Sequence, residues 1–158
     1  MMSDIIKFVV YCKPEPQGSS RAYIPKGWTR AVITSDNPKL KGYRSEVAKV
    51  AALECRGRMF PSTVAVDVAL NFVLTRPKSA RRRLLPTVRP DLDKLIRATF
   101  DSLTGIVYAD DAQVVRVSAC KQYGSPQRVE ISVRECIAGD VRTPAELAMA
   151  DELFVGGM

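Results

Sequence analysis

Asp91 and Asp93 stand two positions apart, Asp110 and Asp111 follow as an adjacent pair, and the 158 residues contain no histidine. That combination narrows the chemistry available. Without an imidazole the chain cannot build a Ser-His-Asp hydrolase, a Cys-His protease, a histidine-based nuclease or a His-ligated zinc or haem centre. Carboxylates, Lys/Arg, hydroxyls and thiols remain. Three converging carboxylates form an oxygen-rich site suited to Mg²⁺, a hard ion that keeps several waters and binds between carboxylates and phosphate oxygens. One or two such ions polarise a scissile phosphate, generate a hydroxide nucleophile and neutralise the leaving 3′ oxygen. A neighbouring cation, Lys94 or Arg97, would stabilise the extra negative charge of the transition state. Each acid also has a structural explanation. Aspartate at a helix start is favoured by capping and by the macrodipole, and Asp-Asp is an ordinary turn signal.

Two cationic stretches precede the acids. Arg76, Lys78, Arg81, Arg82, Arg83 and Arg89 occur with no acid among them, and Arg21, Lys26 and Arg30 are interleaved with Tyr23 and Trp28. Both could be solvated loops, the second with Trp28 packed on the core. Both could equally grip a sugar-phosphate backbone and stack on bases. The net charge of +7 and isoelectric point near 9.4 suit a polyanionic partner, either nucleic acid or an acidic membrane face. Cys12, Cys55, Cys120 and Cys136 form no CxxC pair, so they read as reduced thiols of a cytoplasmic protein. The apolar run from Ile5 to Cys12 is interrupted by Lys7 and is too short for a signal peptide or a membrane span.

The elements that must position these residues follow from their patterns. Ile5 to Cys12 reads as a strand; two prolines and Gly18 then enforce a loop that continues to about Pro38. Lys39 to about Arg58 has helical spacing, and Val64 to Thr75 alternates as a long strand. Asp91 to Leu103 is the clearest helix, with Leu92, Leu95, Ile96, Thr99, Phe100 and Leu103 on one stripe and Gly105 as its stop. Within a continuous helix Asp91 and Asp93 stand about 200° apart. At the cap, a non-helical Asp91 could swing back toward Asp93, whereas Asp93, Arg97 and Asp101 share a ridge. Reversal after Gly105 would return Asp110 or Asp111 to the start of that helix. Val114 to Lys121 and Arg128 to Val133 read as an antiparallel hairpin through Tyr123-Gly124-Ser125-Pro126. Thr143, Pro144 and Glu146 form a capping box that opens an acidic terminal helix. The pattern predicts an α/β chain of the α+β type with one compact domain over residues 1–138 and a helical extension or tail over 139–158.

The stretch RPDLDKLIRATFDSLTGIVYADDAQVV resembles the signature of the RusA family of Holliday junction resolvases, common in phages and prophages. Looser similarity runs through KPEPQGSSR and RPKSARRR upstream and CKQYGSPQRVEISV downstream, covering about residues 5–135. The resemblance implies a mixed sheet of about four strands with two main helices and an intimate homodimer. It also implies a Mg²⁺-dependent endodeoxyribonuclease that cuts four-way junctions by paired symmetric nicks in the cytoplasm of a bacterial host. Asp91, Asp93 and Asp111 match its catalytic, metal-binding aspartates. Arg97 stands where the family carries a lysine; it keeps the charge but, being planar and effectively never deprotonated, cannot donate a proton as lysine can. Lys94 occupies a position that is often asparagine, and Lys121 matches a recurrent lysine, making it a DNA or active-site candidate. With the loop residues Arg21, Lys26, Arg30, Arg76, Lys78, Arg81, Arg82, Arg83 and Arg89, these two lysines make up the expected DNA-binding set. The alternatives are a non-catalytic DNA-binding or architectural protein, and a Mg²⁺ nuclease acting on other branched replication intermediates.

Overall fold

Alternation of inward and outward side chains makes Ile5–Val10 a strand, β1, with Ile6, Phe8 and Val10 buried. The computed structural model describes residues 4–35 and 37–142. Three further strands join β1 in one sheet: β4 (Val66–Leu74), β5 (Val114–Tyr123) and β6 (Arg128–Glu135). Their order is β1-β6-β4-β5, with β4 antiparallel to β6 and parallel to β5. Together with two packed helices this is an α+β domain, as the pattern predicts, and its sheet is mixed, as the resemblance implies.

The hairpin expected from the last two strands does not form, because β4 lies between them. The connecting residues pass over the end of β4 at close range. The Gly124 N–H donates to the Leu74 carbonyl at 2.9 Å, and a Cβ at position 124 would come within 2.7 Å of Val73 Cγ1. Glycine therefore eases this close approach, since any side chain here would have to displace the Val73 methyl. The region read as a continuous loop before Pro38 also holds structure, a separate two-stranded ribbon of β2 (Ser20–Tyr23) and β3 (Val32–Ser35). The β-branched run of Val32, Ile33 and Thr34 favours pairing, and the chain turns where the Trp28 N–H meets the Pro25 carbonyl.

Helices α1 (Leu40–Cys55) and α2 (Leu92–Leu103) cover one face of the sheet. Leu40, Tyr43, Val47, Ala51 and Cys55 recur every three or four residues and form the buried stripe of α1. On α2, Leu95, Ala98, Thr99, Ser102 and Leu103 are buried, with Leu92, Ile96 and Phe100 packed at the margin. Thr99, the polar member of the predicted stripe, is accommodated by two bonds. Its hydroxyl donates to the Leu95 carbonyl at 2.9 Å, leaving its oxygen to accept from the Tyr43 hydroxyl at 2.8 Å. The interface between α1 and α2 thus buries two hydroxyls without leaving either unsatisfied.

The opposite face of the sheet carries Lys7, Asn71, Ser118, Cys120, Glu130 and Ser132 around Ala69. At one end of it, Arg134 donates to Asp67 at 2.9 Å and to Asp140 at 3.2 Å. Asp140 ends a 3-10 turn, Ala138–Asp140, so the first residues of the expected extension are tied to the sheet. The predicted capping-box helix from Thr143 lies outside the described residues. Among the described residues, no helix is long and apolar enough to cross a membrane.

Candidate active site at the start of α2

The chain enters α2 from the cationic segment after β4. Asp91 is the N-cap, with extended backbone (φ −72°, ψ 138°), and its carbonyl accepts the first helical bond from Leu95. An aspartate at this position ordinarily accepts a bond from the backbone of the first turn. Here its side chain makes no capping bond. The half-exposed carboxylate instead lies 4.0 Å from Lys94 Nζ, an ion pair too open to contribute much stability. The acid is therefore placed by the backbone, with about half of its side chain open to solvent. Asp93, in the first turn, is exposed as well. Both charges sit at the positive end of the helix dipole.

Asp93, Lys94 and Arg97 line a concavity of about 480 Å³ together with Gln17, Gly18 and Ser19. The latter three belong to the proline-rich segment after β1, which is latched onto α2. The Gln17 N–H donates to the Lys94 carbonyl at 2.9 Å, and its side-chain oxygen accepts from Arg44 at 2.7 Å. Arg44 also pairs with Asp101. Asp101, expected on one ridge with Asp93 and Arg97, is thereby committed to bracing α1 against α2. Nothing in the local pattern of Gln17 signals this docking; only the upstream similarity through KPEPQGSSR pointed to the segment.

The two acids of the later pair have different tasks. Asp110 caps a 3-10 turn, Asp111–Gln113: its Oδ1 accepts from the Ala112 N–H at 2.8 Å, and its own N–H donates to Gln113 Oε1 at 2.9 Å. Gln113 in turn donates to the Pro61 and Val64 carbonyls at 2.7 and 2.8 Å, tying the turn to the segment before β4. Asp111 stays exposed outside this network.

Asp111 does not return to the start of α2. Residues 104–110 are used in folding back over the last turns of the helix. The Gly105 N–H meets the Tyr108 carbonyl at 2.7 Å, the Tyr108 ring lies edge-on to Phe100 at 6.4 Å, and its hydroxyl donates to the Phe100 carbonyl at 3.3 Å. Burial raises the Tyr108 hydroxyl above its usual range, and the charges of Asp111 and Asp101 push it further. Asp111 immediately precedes the start of β5, whereas it is the other end of that strand that reaches the start of α2. At 1.5 Å per residue the 12 residues of α2 span about 18 Å. Accordingly, among the described residues no three acidic or thiol side chains gather in a metal-holding group. The chain comes back to the start of α2 only at the end of β5, and the residue that arrives is Lys121. Its Nζ donates to the carbonyls of Val88 and Pro90 at 2.8 and 2.9 Å.

Of the expected cations, Lys78, Arg81, Arg82, Arg83 and Arg89 are exposed on the segment leading to Asp91. Arg76 is partly structural, with its guanidinium 5.0 Å from the Tyr123 ring centroid and an N–H donated to the Arg81 carbonyl. Arg21 lies in β2, and Lys26 and Arg30 are exposed between β2 and β3. Trp28, in the same turn, is 63% exposed and so is not a core residue.

Residues 14–134 match the family described as Endodeoxyribonuclease RusA, a span that includes both acidic pairs and Lys121. The chain is 33% identical over 144 residues to "Uncharacterized protein YqaN" of Bacillus subtilis (strain 168), covering 85% of this chain and 99% of that one. It is 29% identical over 93 residues to "Crossover junction endodeoxyribonuclease rusA" of Lactococcus phage r1t, covering 58% and 68% respectively.

Proposed function

Because the chain belongs to the RusA family of endodeoxyribonucleases, we propose that it resolves four-way DNA junctions by paired symmetric nicks, as a Mg²⁺-dependent homodimer. The observation that carries this reading is the Asp91 carboxylate, free of any capping bond at the start of α2 and at the end of a cationic segment, with Asp93 and Arg97 lining the concavity of the same helix's first turns. A phage or prophage origin and a cytoplasmic place of action go with it.

The donor set fits Mg²⁺, which is commonly held by one or two carboxylates together with water and substrate phosphates. Asp91 and Asp93 would hold it. When bound, the ion supplies Lewis acidity toward the phosphate and acidifies water. The chain's own residues supply the rest. Arg97 offers a permanently charged guanidinium that donates N–H bonds to phosphoryl oxygens as negative charge builds, without giving up a proton. Lys94 offsets the carboxylate charge at the helix start. Arg81, Arg82, Arg83 and Arg89 grip the phosphate backbone and orient the strand, a contribution that weakens as salt rises.

The separation of Asp111 from the other two acids favours a dimer. Within one chain it stands at the opposite end of β5 from the start of α2, so an Asp111 that serves this chemistry joins the Asp91–Asp93 pair of a second copy. Exposed Ile5 and Val9 on the uncovered sheet face provide apolar surface for association. A two-fold dimer also presents two equivalent sites to two strands of like polarity, as symmetric resolution requires.

Incubation of the protein with a synthetic four-way junction, a flap and a linear duplex in Mg²⁺ tests this reading, with EDTA and Asp91→Asn as controls. Symmetric nicks on the junction alone, lost in both controls, are expected. Equal cutting of all three substrates would refute junction resolution. Tight junction binding without any nicking would establish instead a non-catalytic binder, the reading favoured by arginine in place of the family lysine.

A further inference from the structure

Lys121 pairs in register with Phe72 on β4, so it projects from the face of the sheet that carries the helices. Lys121 is only partly buried there, so its ammonium stays within reach of water and its stem lies along the sheet. The partners here are two main-chain carbonyls, those of Val88 and Pro90. The second belongs to the peptide group whose nitrogen is that of Asp91. Holding this carbonyl fixes the plane of the Pro90–Asp91 peptide and with it the direction in which the Asp91 side chain leaves the backbone. Apart from its loose 4.0 Å pairing with Lys94, that carboxylate has no capping bond to orient it.

We propose that Lys121 is a positioning residue for Asp91: its ammonium clamps the Val88 and Pro90 carbonyls and aims the carboxylate, and it makes no contact with DNA. This replaces its expected place among the DNA-binding residues and rests on the reading of Asp91 as an active-site acid.

Lys121→Met keeps the length of the side chain and removes its donors and charge; Lys121→Arg keeps both. Junction binding without Mg²⁺ is measured across a salt series, cleavage is measured in single turnover with enzyme saturating, and amide hydrogen exchange is followed over residues 86–92. For Lys121→Met the expected result is binding within twofold of wild type and an unchanged salt slope. Its saturated cleavage rate should fall roughly 10–100-fold, the range seen when a group that orients a metal ligand is lost. Exchange should rise at 87–91 and not along β5, and Lys121→Arg should recover much of the rate. Weakened binding with a shallower salt slope and an intact saturated rate would mean a phosphate contact and overturn the proposal. Unchanged exchange at 87–91 would overturn it independently of activity. The Asp91→Asn protein separates the two levels. If it cleaves normally, the active-site reading fails; if it is inactive while Lys121→Met cleaves like wild type, only the role of Lys121 fails.

Discussion

Substituting the two adjacent acids one at a time should produce opposite phenotypes. Asp110→Ala removes the acceptor for the Ala112 N–H and half of a capping box whose other half, Gln113, holds the Pro61 and Val64 carbonyls. Loss of an N-cap side chain costs about 0.5–2 kcal/mol. The turn it closes is short but leads directly into β5, so a value near the upper end is expected. For a domain of this size each kcal/mol lowers Tm by about 2–4 °C, so a fall of roughly 4–8 °C should be seen in a thermal melt. Because Asp110 supports the fold, the protein that remains folded at 25 °C should still cleave junctions at a similar single-turnover rate. Asp111→Asn preserves volume and touches no part of the cap; its Tm should stay within about 1 °C of wild type, since surface changes away from such features are usually within 0.5 kcal/mol. Its cleavage should fall on the order of a hundredfold or more, as expected when a group acting on the reacting phosphate is removed. A melt of Asp110→Ala that overlays wild type would refute the capping argument. An Asp111→Asn protein with full activity would refute the assignment of the third acid, and one that loses several degrees would show that Asp111 also carries structure.

The α1–α2 contact makes an asymmetric prediction. Thr99→Val leaves the buried Tyr43 hydroxyl without its partner and should cost about 1–3 kcal/mol, whereas Tyr43→Phe leaves Thr99 bonded to the Leu95 carbonyl and should cost about 1 kcal/mol; denaturant midpoints of the two variants decide, and equal costs would contradict the arrangement. Burial, followed by the charges of Glu46 and Glu15, pushes the Cys12 thiol up from 9.0 to about 11. A pKa raised on folding stabilises the native state at pH values below the unfolded pKa, so this contribution should be complete below pH 9 and disappear as pH rises through 11. Alkylation followed by mass spectrometry at pH 8 should modify exposed Cys120 well before Cys12, and the reverse order would contradict the burial of that thiol.

Much of this protein is written locally in its residues. The stripe from Leu92 to Leu103 lies on one face of a 3.6-residue period, so α2 and its inner side are legible without a partner, as are the strands whose β-branched residues alternate. The absence of histidine, the paired aspartates and the cationic segment before them are likewise properties of composition and spacing, and they limit the chemistry before any fold is known. Long-range partners are different, because spacing along the chain does not specify which strand inserts beside which. The insertion of β4 between β5 and β6 brings Gly124 against Val73, where a side chain would crowd the Val73 methyl. Only the packed chain separates the two adjacent aspartates into a cap and an exposed acid. Only there does Gln17 dock on α2, Asp111 stand at the opposite end of β5 from the start of α2, and Lys121 arrive where a third acid was expected. A helix carries its own periodicity, whereas a site is assembled from residues brought together by elements that bury one another, and their meeting point is set by the whole core.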